Sequence, residues 1–374
     1  MPIEVDAVVR ADALTTSGGD MVQLEEYRAR LDPERFDVRT VPFHPGMTLR
    51  SGAVVHIFNV DRPHDFLAAA RVAEGHRRIV SPIHHNAARV TAMRRADRGR
   101  GVKSLVSRAM PDAAREWLGS ARRAARGAGD VRGLRSAARM WAGSLLHAPA
   151  VWPAVGRTMD GFDAVALLAE GEGRDLQRLT GWSGRNGLLV PNGRPEAVPG
   201  FAAPEWERRE PGSVLVVGRI EPRKRQLEVA RAANRLQVPI SFIGPLTDAS
   251  TAYSQEFVSL AASSTSVAHL GAMGREEVLQ HMGAARVLLN ASWVEVQSLV
   301  DLEAAQLGCA VVTAGTGHSR EWLGALVVDV PGGVDDLVRA AADRAAAGEP
   351  SPPSSSYAAT WDAAAGRLAE LYEG

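Results

Sequence analysis

Two stretches of this chain hold charged residues at spacings suited to chemistry on anions and hydroxyls. In Val216-Val217-Gly218-Arg219-Ile220-Glu221-Pro222-Arg223-Lys224-Arg225-Gln226, a β-branched run enters a glycine and then presents Arg219 and Lys224 at the start of an expected helix. Gly218 lets a ligand approach the backbone closely, and a helix N-terminus favours an anion. Arg219 can meet two phosphate oxygens in a fork, while Lys224 is a mobile point charge. Together they read as a grip for a diphosphate, although the same pattern also occurs as ordinary surface charge. The second stretch, Ala291–Ala305, follows an expected strand and opens a helix with Ser298 as N-cap and Asp301 as its capping-box partner. Glu295 falls in the loop before that helix and Glu303 in its second turn. Amides near Ser298 and Leu299 are expected to face the crevice at the carboxyl ends of the strands, where open α/β sheets bind ligands. A carboxylate placed there can accept hydrogen bonds from vicinal ribose hydroxyls. Taken alone, an ordinary capped helix with two acidic residues accounts for the second stretch slightly better.

The elements that must position these residues alternate. Short β-branched runs are separated by longer amphipathic stretches, the pattern of βαβ units and a parallel sheet. Strands are expected at Ile3–Val9, Val38–Val41, Val54–Phe58, Arg78–Ser81, Ala164–Leu168 and Leu188–Val190 in the first half. In the second half they are expected at Ser213–Val217, Ile240–Ile243, Val267–Leu270, Val287–Leu289, Ala310–Thr313 and Leu326–Val328. The intervening helices of the second half are expected over Lys224–Leu236, Tyr253–Ala262, Arg275–Ala284, Leu299–Leu307 and Val334–Ala346. At 374 residues the chain is too long for one comfortable core. It divides into an N-terminal domain 1–203, a proline- and charge-rich linker 204–212, a C-terminal domain 213–350 and a final helix within 351–374.

Residues 86–147 stand apart, with fourteen Lys/Arg against four Asp/Glu on helix-forming sequence. A helical insertion with a solvated face is one reading. The other is a basic amphipathic surface that draws a lipid-linked or anionic acceptor, or a membrane leaflet, to the N-terminal domain. Formal net charge over the whole chain is zero, so nothing global favours nucleic acid as a partner. One cysteine, Cys309, in an apolar run excludes an internal disulfide and reads as packed core, and no Cys/His cluster has zinc spacing. No basic flank with a long apolar stretch opens the sequence, and no apolar run is long enough to span a bilayer. The expectation is a cytoplasmic protein whose contact with a membrane, if any, is peripheral. The Ala- and Arg-rich composition points to a bacterial source of high GC content.

Taken together, the two charged stretches resemble the donor site of the retaining glycosyltransferases of family 4. Glu295 and Glu303 match that family's pair of glutamates, and Arg219 and Lys224 match its Arg and Lys. Leu189-Val190-Pro191-Asn192-Gly193, Ala166–Leu176, Thr313–Glu321 and the last helix, Tyr357–Tyr372, resemble further segments of the family. The resemblance implies a GT-B fold: two facing Rossmann-like, doubly wound α/β domains with a C-terminal helix crossing back to the N-terminal domain. It implies that Arg219 and Lys224 neutralise the donor diphosphate, that Glu303 binds the ribose, and that Glu295 orients the transferred sugar. Amides at Ser298 and Leu299 would meet the distal phosphate. In the first half, Ser17-Gly18-Gly19-Asp20 resembles the glycine loop after the first strand, with Gly18 and Gly19 leaving room for the donor phosphate. Ser81-Pro82-Ile83-His84-His85-Asn86 resembles the segment that supplies an active-site histidine; His84 sits where the motif places it, with His85 next to it. Asn59, after a strand, is placed with His85 on the acceptor side.

Two positions depart from the family pattern, Ala291 where a proline is usual and Ser298 where a glycine is usual; serine keeps the amide but its side chain narrows the pocket. No Asp-x-Asp metal motif is present, and the resemblance implies a reaction without a metal or other cofactor. What it implies is transfer of a hexosyl unit from a nucleoside-diphosphate sugar to a hydroxyl acceptor. Configuration is retained by departure and attack on one face through an oxocarbenium-like transition state. A non-hydrolysing sugar-nucleotide epimerase of the same fold and a non-catalytic partner subunit are the competing readings.

Overall fold

A computed structural model describes residues 1–14, 18–44, 46–96, 151–194, 203–324, 327–347 and 359–374. Ser17, the basic stretch from residue 97 to 147 and the first part of the 351–374 segment, up to residue 358, lie outside them.

The chain divides into two units. The first takes the described residues up to 85, from 151 to 193, and from 360 to 374; the second takes 86–96, 194 and the described residues from 203 to 359. Each unit holds one six-stranded sheet, and every strand pairing in both is parallel.

In the first unit the strands are β1 (Ile3–Val9), β2 (Phe36–Pro42), β3 (Val54–Phe58), β4 (Arg78–Ser81), β5 (Ala164–Leu167) and β6 (Gly187–Leu189), in the spatial order β2-β1-β3-β4-β5-β6. Val5, Ala7, Val8 and Val9 of β1 and all of β3 are buried, as central strands covered on both faces require. One face carries Val55, Ile57, Val80 and Val165 against Phe66, Met159 and Leu176. These come from helices α2 (Pro63–Val72), α4 (Val151–Asp160) and α5 (Glu170–Thr180). On the other face α1 (Gly19–Arg28) meets the last helix, α12 (Trp361–Glu373), through the edge-to-face pair Tyr27–Trp361 at 5.9 Å. The C-terminal helix therefore belongs to the first unit, as its resemblance implied. A buried polar chain also holds it there: Tyr372 Oη and His56 Nδ1 are 2.8 Å apart, and His56 Nε2 and Ser81 Oγ 2.9 Å.

In the second unit the strands are β7 (Val214–Val217), β8 (Ile240–Ile243), β9 (Val267–Gly271), β10 (Val287–Asn290), β11 (Ala310–Thr313) and β12 (Val327–Asp329), ordered β12-β11-β10-β7-β8-β9. Counted from β7, this is the dinucleotide-fold order 3-2-1-4-5-6, whose topological switch lies between its first and fourth strands, here β7 and β10. Phe242, Val287, Val312, Leu337 and Ala341 form a core on one face with α6 (Gln226–Leu236), α7 (Ala252–Ser263) and α11 (Val334–Ala346). Leu215, Leu288, Val311 and Cys309 form another with α8 (Arg275–Ala284), α9 (Leu299–Gln306) and the short α10 (Ser319–Leu323). Cys309 is packed there, and burial pushes its thiol up to about 12.

Two boundaries differ from the sequence-based expectation. Residues 204–212 are not a free linker: Trp206 is buried in the second unit's core, and Arg209 donates to the carbonyls of Pro204, Ala285 and Leu307. Helix α3 (Ala87–Ala96), the described start of the basic stretch, groups with the second unit rather than the first. No described helix is long and apolar enough to cross a membrane.

Candidate active site

The two loops that leave the switch-point strands of the second unit carry Arg219 and Lys224 (after β7) and Glu295 (after β10). Gly218 follows β7 at φ +140°, a conformation reserved for glycine. The loop then closes a short 3₁₀ turn, Pro222–Lys224, and breaks at Arg225, which has φ +59°. Lys224 thus ends a tight turn, and helix α6 starts at Gln226, a correction to the expected helix over Lys224–Leu236. Gln226 holds the loop from inside, donating to the Arg219 carbonyl at 2.6 Å and accepting from the Glu221 amide at 3.2 Å.

The loop after β10 is tied to the first. The Trp293 amide donates to the Arg223 carbonyl at 2.9 Å, and the Arg225 guanidinium lies 4.2 Å from the centre of the Trp293 ring. A third loop, after β11, closes behind: the His318 amide donates to Val296 at 2.8 Å and Thr316 Oγ1 to the Ser292 carbonyl at 2.7 Å. A Cβ on Gly317 would stand 2.7 Å from Cβ of Glu295, so glycine there lets the Glu295 loop approach. This stitching brings Lys224 Nζ onto Glu295 Oε1 as an ion pair, both side chains largely buried. Burial alone would raise the Glu295 carboxyl; Lys224 and Arg223 beside it instead lower it to about 2. Arg219 lies 3.9 Å from Glu221, with its side chain 34% exposed.

Ser298 caps α9 as expected, its hydroxyl accepting from the Asp301 amide at 3.3 Å. The capping box does not close. Asp301 turns inward to Asn290 Nδ2 at 2.8 Å and Ser319 Oγ at 2.7 Å, and burial raises its carboxyl to about 6. Because the Ser298 hydroxyl also receives Asn290 Nδ2 at 3.3 Å, it is engaged with its own helix start instead of being held outward. The first amides of α9, at Leu299 and beyond, have no carbonyl one turn earlier in the helix to bond. Glu303, one turn on, pairs with Arg275 at 2.9 Å. Ala291, at the usual proline position, is buried.

The first sheet has its own switch point, between β1 and β3, as in the flavodoxin-like order. Gly18 caps α1, where a Cβ would meet Asp20 Oδ1 at 2.7 Å and Arg10 Nη2 at 3.1 Å, so its bareness accommodates the Arg10–Asp20 ion pair. A Cβ on Gly19 would meet nothing within 4 Å. Asn59 leaves β3 at φ +77° and spends its side-chain oxygen on the Asp61 amide at 2.8 Å. With Arg10, Phe58 and Arg62 it lines a small cavity at the strand ends.

His84 and His85, after β4, converge on Asp61. Its carboxylate accepts from His84 Nδ1 at 2.5 Å and from His85 Nδ1 at 2.6 Å. His84 is buried, at 2% exposure, and His85 is 23% exposed. The His84 amide donates to Glu172 Oε1 at 2.7 Å, and the other oxygen of Glu172 takes the Leu168 amide at 2.7 Å. Glu172 is wholly buried, and burial lifts its carboxyl to about 7. Asp61 and Glu172 were not singled out as site residues from the sequence. For Asp61 the signal was present: a carboxylate just past the end of a central strand, where such folds bind ligands. No group of His, Cys, Asp and Glu among the described residues could hold a metal ion.

Residues 211–345 match the family described as glycosyl transferases, group 1. None of the curated proteins matches the chain. Among solved structures, the sucrose-phosphate synthase of Thermosynechococcus elongatus superposes with a TM-score of 0.62 at 14% identity, over 99% of this chain and 98% of that one. The UDP-forming α,α-trehalose-phosphate synthase of Burkholderia xenovorans, in complex with glucose-6-phosphate, gives 0.60 at 11% identity over the whole of both chains. The trehalose-6-phosphate synthase of Burkholderia multivorans gives 0.54 at 13% identity, over 99% and 94%. The fold is GT-B. Arg219, Lys224, Glu295, Ser298, Leu299 and Glu303 all fall inside the segment matched to the group 1 glycosyltransferases, and Gly18, Gly19, Asn59, His84 and His85 lie in the other half of the GT-B fold.

Proposed function

We propose that this chain is a retaining glycosyltransferase of the family 4 type, moving a hexosyl unit from a nucleoside-diphosphate sugar to a hydroxyl acceptor. The observation that carries the reading is the meeting of Lys224 and Glu295 at the β7/β10 switch point, inside the segment matched to group 1 glycosyl transferases.

In this reading Arg219 and Lys224 hold the donor diphosphate and stabilise the charge that builds on it as the glycosidic bond breaks. The amides of Ser298 and Leu299 take the distal phosphate, Glu303 accepts from the ribose hydroxyls, and Glu295 accepts from hydroxyls of the transferred sugar. The acceptor oxygen bonds to the anomeric carbon on the face from which the nucleoside diphosphate leaves, and the acceptor proton passes to the departing phosphate oxygen. Every task assigned to the protein is positioning or charge stabilisation, so no metal or other cofactor enters the proposal. Gly18 and Gly19 serve the donor side from the first unit; His84, His85 and Asn59 serve the sugar and its acceptor. The basic residues of 86–147 would draw an anionic or lipid-linked acceptor, with the protein working in the cytoplasm at the inner face of a membrane.

The test is product analysis. UDP-, GDP-, ADP- and dTDP-hexoses are offered with and without free and phosphorylated hexose acceptors, and the anomeric configuration of any product is read by NMR. An α-linked product from an α-linked donor is the expected result. Conversion of the nucleotide sugar alone would move the assignment to an epimerase, and an inverted product would remove the same-face mechanism.

A further inference from the structure

Asp61 is held between two imidazoles by bonds that leave its carboxylate no other part than acceptor. One oxygen receives His84 Nδ1 at 2.5 Å; the other receives His85 Nδ1 at 2.6 Å and the His85 amide at 3.0 Å. An ionised carboxylate has no proton to give, so both rings carry theirs on Nδ1. The Asp61 carboxyl lies well below its ordinary range, because the two histidines outweigh the burial that would raise it. His84 is fixed from its backbone as well: Glu172 takes its amide, and Ile83 before it is forced to φ +47°. A β-branched residue in the left-handed region is strained and persists only where its surroundings impose it. After all this holding, His84 Nε2 is buried and meets no hydrogen-bond partner among the described residues. A buried nitrogen left without a partner is destabilising, and a polar group of a ligand would relieve it.

We propose that Asp61 is a positioning residue that sets the tautomer and orientation of His84, leaving its buried Nε2 as the ring nitrogen without a protein partner among the described residues, to be met by a hydroxyl of the sugar substrate. The proposal rests on the glycosyltransferase reading for the identity of the ligand, but not for the pairing itself. An orienting carboxylate of this kind works through the histidine and touches no reacting atom.

The resting protein tests the pairing directly. In long-range ¹H–¹⁵N spectra of the full chain labelled at histidine, assigned with His84→Gln and His85→Gln, both rings should carry a proton on Nδ1 at pH 7. A His84 ring protonated on Nε2 with a bare Nδ1 would overturn the proposal without any substrate. In Asp61→Asn the amide has one acceptor oxygen for two Nδ1–H donors, so one ring should switch tautomer. Turnover of the nucleotide sugar accepted by the wild type should then fall on the order of 10²-fold, mostly in kcat with KM little changed. A folded Asp61→Asn protein with unchanged tautomers or wild-type turnover would also overturn it. If the wild type turns over no nucleotide sugar, the transfer reading fails, while the resting spectra still decide whether Asp61 positions His84.

Discussion

Lys224 and Glu295, 71 residues apart in sequence, meet as an ion pair at the point where the order of the second sheet reverses. Glu295 therefore neutralises the cation assigned to the donor diphosphate. Glu295→Gln should free Lys224 and tighten a bare nucleoside diphosphate by up to about tenfold, since a competing charge in contact is removed. The same change should slow transfer, because the carboxylate that orients the sugar is gone. Lys224→Ala and Arg219→Ala should each lower turnover by ~10²-fold or more. Calorimetric titration with the nucleoside diphosphate beside initial rates separates the two effects, and equal losses of binding and rate in Glu295→Gln would count against this picture.

The same pair has an acid limit. The Glu295 carboxyl is lowered from 4.5 to about 2, so the stability it contributes is fully present above pH 4.5 and is lost as pH falls through about 2. In Lys224→Ala burial acts with less opposition, and the Glu295 carboxyl should titrate higher. Carbon NMR of labelled glutamate reads that shift; an unmoved Glu295 would deny the coupling.

His56 gives the first unit a pH dependence at milder acidity. Burial holds it neutral, with its ring lowered from 6.5 to about 3. The unfolded chain binds a proton there below about 6.5, so stability should decline as pH drops from 6.5 towards 3. His56→Gln should flatten that decline. Tyr372→Phe leaves His56 Nδ1 without its partner and should cost about 1–3 kcal/mol at neutral pH. Urea unfolding at several pH values, followed by far-ultraviolet circular dichroism, checks both.

Glycines separate packing from ligand space. A Cβ at position 193 would fall 2.0 Å from the Trp361 amide nitrogen, and one at 244 would fall 2.1 Å from the Gly218 carbonyl oxygen. Gly193→Ala should dislodge the start of α12 and Gly244→Ala the β7 turn, each costing about 3 kcal/mol or more. Gly19→Ala meets nothing, so the melting temperature should hold while transfer slows if that loop receives donor phosphate. Thermal melts compared with rates for the three variants decide the point; a Gly19→Ala enzyme of full activity would remove the loop from the site.

The strands were legible because parallel strands buried on both faces are short apolar runs, and β1, β3, β4, β8 and β11 have the bounds expected from Ile3–Val9, Val54–Phe58, Arg78–Ser81, Ile240–Ile243 and Ala310–Thr313. Loop conformation was harder to read. Arg225 at φ +59° ends the turn before α6, and no local propensity of arginine announces a left-handed residue. Asp301 seemed a capping partner by spacing, yet its tertiary neighbours Asn290 and Ser319 won its side chain. Trp206 and Arg209 looked like linker because proline and charge surround them; their burial depends on Ala285 and Leu307, far away in sequence. The charged residues proposed for the donor side could be named from the sequence because their types and spacing are local. Asp61 was overlooked because its role depends on His84 and His85, more than twenty positions on, across neighbouring strand ends.

The most direct measurement is the thermal shift of the full chain with UDP, GDP, dTDP, ADP and CMP, in the wild type and in Glu303→Ala. A ligand at ~100 times its Kd adds about 2.7 kcal/mol, a rise of several degrees. The glycosyltransferase reading predicts that one nucleoside diphosphate raises the wild-type midpoint and that Glu303→Ala loses most of the response. No shift with any of the nucleotides, or an undiminished shift in Glu303→Ala, would contradict the placement of the donor site in the second unit.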